Sequence, residues 1–112
     1  MPLSSSALLA QFERDPARPR ELSPNDRFEL DAEIDNLLGR IRGCDSSVAA
    51  DEHLRELGQI QTNLATLAFR HQVQLSLRQR QIVRQYDRFD VLDVRRKTYQ
   101  QIKSAEYPWR AD

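Results

Sequence analysis

Cysteine occurs once, as Cys44, so the chain can form no internal disulfide and no cysteine-built zinc site, and a reducing cytoplasm is the expected compartment. Long apolar runs are missing too: no stretch approaches the roughly 20 residues needed to cross a bilayer, which excludes a spanning helix. The start, MPLSSSALLAQFERD, lacks the basic opening and longer apolar stretch of a secretory signal. Glycine is scarce, and between Gly58 and Pro108 there is neither a further glycine nor a proline, so nothing in that segment imposes a stop. Aromatics make up 7% of the residues, and threonine and valine are too sparse for an all-β chain. A formal net charge of zero removes the broad basic field of a committed nucleic-acid binder.

What is present favours helices. Arginine, glutamine, leucine and acids dominate, and long unbranched side chains lose little freedom on a helix. A chain of 112 residues supports one modest core. Charge is unevenly spread: residues 1–69 hold seven arginines against twelve acids, and residues 70–112 hold ten basic residues against five acids. That asymmetry favours self-association, or an acidic partner for the second half.

The first 22 residues carry three of the five prolines and read as a disordered arm, within which Leu8, Leu9 and Phe12 sit at helical spacing after Ser6. Residues 23–107 read as a helical hairpin or bundle, and 108–112 as a tail. Ser23, Pro24 and Asp26 open a helix in which Leu30, Ile34, Leu37, Leu38 and Ile41 form a buried stripe that Phe28 extends. Arg40, Arg42 and a left-handed Gly43 end it.

After a short connector, Leu57, Ile60, Leu64, Leu67, Ala68, His71, Leu75, Ile82, Tyr86 and Phe89 fall in one sector of a helical wheel, with Leu92 continuing the pattern. Val73, Leu75 and Leu77 alternate strictly, which alone suggests a strand, but their helix-forming neighbours favour helix. The expected fold is therefore all-α: an antiparallel hairpin whose second limb is long and either continuous or bent near Arg78, with a three-helix bundle as the alternative. A first helix under about 30 Å long covers only part of a limb near 90 Å. His71, Leu75, Ile82, Tyr86, Phe89 and Leu92 then await a second copy or another helical protein. About 1.5–3 kcal/mol per large apolar side chain favours that cover.

Chemistry for catalysis is thin. His53 and His71 lie far apart with no metal-ligand spacing, and no phosphate loop or nucleophile motif occurs. LDAEIDNLLGRI resembles the acidic first helix of small chorismate mutases over about a dozen residues, but the basic residues that family requires have no counterparts here, so it implies no activity. The acids Glu29, Asp31, Glu33 and Asp35, spaced by two, spread around a helix rather than converging on a cation. No metal, cofactor, membrane or small-molecule substrate is expected.

Between Arg70 and Phe89 lie five arginines and five glutamines. Arg80, Arg84, Arg88 and Arg95 could follow a phosphate backbone, making nucleic acid the alternative ligand, though Asp87, Asp90 and Asp93 repel it. The favoured reading is a non-enzymatic helical interaction module, an adaptor, chaperone or assembly factor, which self-associates.

Overall fold

The computed structural model describes residues 4–84 and 88–109. Within them the chain is all-helical: α1 (Ser5–Arg14), α2 (Pro24–Arg42), α3 (Asp51–Phe69), α4 (Leu77–Arg84) and α5 (Leu92–Lys103), with no strand among the described residues beyond an isolated bridge. Helix α3 is the axis of the fold and packs against each of the other four. Leu54, Leu57, Ile60, Leu64 and Leu67 are buried on it, together with the polar Gln61 and Asn63.

Helix α2 forms where its terminal chemistry demands. The Ser23 side chain accepts from the Asp26 amide at 3.1 Å, Pro24 fills the first turn, and Leu30, Ile34, Leu37, Leu38 and Ile41 are buried. Two details differ from expectation. Gly43 sits at φ −76° in the ordinary right-handed region, because the last turn closes through its own amide to Gly39 and Ile41. Phe28 leaves the stripe and is 72% exposed.

The expected disordered arm contains a helix. Ser4, not Ser6, caps α1 by accepting from the Ala7 amide at 3.1 Å, and Leu8 and Phe12 enter the core against α3. The linker is also held: Leu22 is buried, and Arg18 lies over the Phe12 ring at 5.1 Å while donating to Asp26 at 3.2 Å. Burying two leucines and a phenylalanine outweighs the ordering cost that the prolines and serines suggested.

The long second limb is interrupted. After Phe69, Gln72 adopts φ 56°, the Val73 amide donates to the Leu67 carbonyl, and the chain runs extended to the parallel bridge between Glu21 and Gln74. The alternation at Val73 and Leu75 is thus an extended segment with both side chains inward, not helix, whereas Leu77 is exposed. Helix α4 restarts through a reciprocal cap: the Gln79 amide donates to Ser76 Oγ at 3.1 Å and the Ser76 amide to Gln79 Oε1 at 3.0 Å. The break falls at residues 70–76, upstream of Arg78. It lays α4 back on α3, and this chain's own core covers Leu75, Ile82 and Phe89.

Helix α5 packs on α2 and α3, with the Tyr99 hydroxyl donating to the Cys44 carbonyl at 2.8 Å and Lys103 to the Arg42 carbonyl at 2.9 Å. The end of the chain folds back: Tyr107 and Trp109 are both buried.

Candidate functional site

The acids spaced by two on α2 divide between two sides of the helix, as 100° per residue requires. Asp31 and Asp35 face α4 and the C-terminal segment. Asp31 accepts from Gln79 at 3.0 Å and pairs with Arg78 at 3.5 Å. Asp35 accepts from Arg78 at 3.2 Å and from the Trp109 indole nitrogen at 2.6 Å. These two carboxylates are committed to the fold.

Glu29 and Glu33, four residues apart on the other side, line a groove of about 580 Å³ between the start of α1, α2 and α3. Its walls include Leu37 and Ile60, Phe28 stands exposed on it, and Glu56 of α3 and Arg40 contribute further charge. Polar contacts fix the α1 side. The Ser5 amide donates to both oxygens of Glu33, at 3.3 and 3.2 Å. Asn63 donates to the hydroxyls of Ser5 and Ser6 at 3.1 and 2.9 Å, and itself accepts from Gln59 at 3.0 Å. Burial holds the Glu33 carboxyl above the usual carboxylate range, against the lowering effect of the Ser5 hydrogen bonds and with a smaller push from the Glu56 charge. A cation placed beside Glu33 would favour its ionised form.

The residues singled out from sequence do not gather into one site. Arg80 and Arg84 are exposed on α4, and Arg88 is exposed with Asp90 at 3.0 Å. Arg95 is buried, held by Asp51 and the Phe89 carbonyl, so it is withdrawn from any exposed basic face. A second cavity of about 500 Å³ is lined by Arg55, Arg88 and Arg95, but a carboxylate already accompanies each: Asp51 for the first and last, Asp90 for the other. His71 lies 3.9 Å from Glu13 and its ring faces Phe12, both in the same chain. Leu75, Ile82 and Phe89 are in the core, Leu92 is exposed beside Val91, and Tyr86 lies outside the described residues. The groove itself was missed from sequence, because Glu56 and Ser5 come from remote segments. The signal available was the i,i+4 pairing of Glu29 with Glu33.

Among the described residues no group of three or more histidines, cysteines or acids converges on a metal position, and no helix is long and apolar enough to cross a membrane.

The family described as immunity protein CdiI-like matches residues 27–104, well over half of the chain. No curated protein and no solved structure matches it. The matched region takes in α2 from Arg27 onward and α3 through α5, while α1 and the buried pair Tyr107 and Trp109 lie outside it. The chain belongs to the CdiI-like immunity protein family, a family of small modules that act by binding another protein.

Proposed function

We infer that this chain is a non-catalytic immunity protein that binds a toxin protein and blocks it, and that the α1–α2–α3 groove is its docking face. Family membership supports the kind of partner. The observation that carries the choice of face is the groove itself: a wide concavity with apolar walls, an exposed phenylalanine and three glutamates against one arginine. An exposed large aromatic beside a partly apolar hollow is the usual anatomy of an energetic centre in a protein interface.

This reading replaces the adaptor or chaperone role with neutralisation of one target, and it places the partner's surface on the acidic half of the molecule rather than on the arginines of α4. Nucleic acid is the weaker reading, since Arg95 serves the core and Arg88 is accompanied by Asp90. Homo-oligomerisation through the seam loses its driving force where Leu75, Ile82 and Phe89 are already covered.

The test is growth protection. Cells expressing a toxin domain that this chain binds should survive when the chain is co-expressed, and Phe28→Ala with Glu29→Lys should abolish protection while leaving the fold intact. Protection by that double variant equal to wild type would remove the groove from the interface.

A further inference from the structure

The groove has features that specify more than a docking face. Its volume, about 580 Å³, exceeds that of a single long side chain. Leu37 and Ile60 give apolar walls along which a methylene stem can lie, and Phe28 offers an aromatic face at the surface. Glu33 of α2 and Glu56 of α3 both line the groove, and Glu33 is partly withdrawn from water. The Ser5 amide takes up part of the Glu33 charge, and among the described residues Arg40 is the single cation lining the groove. Two carboxylates that repel each other across a half-apolar hollow are relieved by one cation between them.

We propose that the groove is a socket for an arginine side chain projecting from the partner protein, its stem lying on Leu37 and Ile60 and its guanidinium forked between Glu33 and Glu56. Arginine fits better than lysine because a planar fork engages two carboxylates at once and stacks on Phe28, whereas an ammonium is a more strongly hydrated point charge. The socket rests on the reading of this face as the toxin-binding face, and it identifies the partner's contribution as a basic protrusion.

Titration of the ¹⁵N-labelled full chain with N-acetyl-arginine amide tests this directly, with N-acetyl-norleucine amide as the uncharged comparator. The arginine probe should shift amides at residues 4–6, 28–40 and 56–63 and saturate, and the norleucine probe should not. Glu33→Gln with Glu56→Gln, which keeps an acceptor for Ser5, should weaken the arginine probe about tenfold. An arginine titration that fails to saturate, shifts that fall on α4 or α5, or unchanged affinity in the double variant would overturn the socket.

The toxin assay separates the two readings. Full protection by the Glu33→Gln, Glu56→Gln variant, or failure of the arginine probe to bind a wild-type chain that still protects, removes the socket and leaves the immunity reading standing. Probe binding by a chain that protects against no toxin keeps the socket and removes the immunity reading. Concentration-dependent dimerisation abolished by Arg80→Ala with Arg84→Ala would place this chain's own α4 in the socket and overturn its assignment to a foreign partner.

Discussion

Trp109 donates its indole N–H to Asp35 at 2.6 Å, across 74 positions of sequence, and so locks the end of the chain to the middle of α2. Arg78 completes the clasp by lying 3.9 Å above the indole ring while reaching the same carboxylate. Trp109→Ala removes a large buried side chain and leaves Asp35 and Arg78 without their shared partner. The expected loss is about 3–5 kcal/mol in urea denaturation. Trp109→Phe, which keeps most of the bulk and loses the donor, should cost clearly less, about 1–2 kcal/mol.

Gly58 sits on the central helix where Phe89 crosses it. A Cβ at this position would lie 2.7 Å from both Cβ and Cγ of Phe89, atoms too near the backbone to swing away. Gly58→Ala gains helix propensity of about 1 kcal/mol but forces the segment bearing Phe89 outward, and overpacking of this kind costs about 1–3 kcal/mol. The net expectation is destabilisation, with part of it recovered when Phe89→Ala is added. A double-mutant cycle by thermal denaturation measures that coupling.

Two carboxyls give the acid limb opposite contributions. The hydrogen bond from Arg95 holds Asp51 below its ordinary value, against a smaller effect of burial, and the nearby charges of Arg95 and Arg55 assist. A depressed folded value means stability that is present above the unfolded value, about 4, and is lost as pH falls through the lower folded value. Glu33 is raised by burial, so its contribution is present below its unfolded value and lost as pH rises through the raised one. Melting temperatures between pH 3 and 7 should therefore fall less steeply on the acid side in Asp51→Asn. Glu33→Gln should gain most over wild type at pH 7.

Some of this architecture was legible in the residues and some was not. Helix α2 declared itself through Ser23, Pro24 and a regular stripe of leucine and isoleucine, because its ends carry strong local chemistry. The break after Phe69 did not, since no glycine or proline marks it and Gln72 takes the left-handed conformation without either. Its two local signals were the alternation of Val73 with Leu75 and the Ser-x-x-Gln spacing of Ser76 and Gln79, which the glutamine-rich surroundings made look like ordinary helix. Of the seam positions, Leu75, Ile82 and Phe89 are covered while Leu92 is exposed. Their cover is long-range packing within one chain, which periodicity does not encode. The groove was hidden for the same reason: Ser5, Glu33 and Glu56 are brought together by tertiary packing alone.

The seam gives the sharpest contrast between cover from within and cover from a partner. Ile82 is fully buried against the rest of the same chain, whereas Leu92 is 45% exposed. Ile82→Asp places a carboxylate in that core without a partner, and a loss of about 4 kcal/mol or more is expected, enough to unfold a small domain. Leu92→Asp should change stability by roughly 0.5 kcal/mol or less. If the seam were instead closed by a second chain, Ile82→Asp would yield a folded monomer and the wild-type midpoint would rise with protein concentration. Denaturation curves collected over a hundredfold range of concentration, with light scattering on both variants, should show a constant midpoint for the wild type and an unfolded chain for Ile82→Asp.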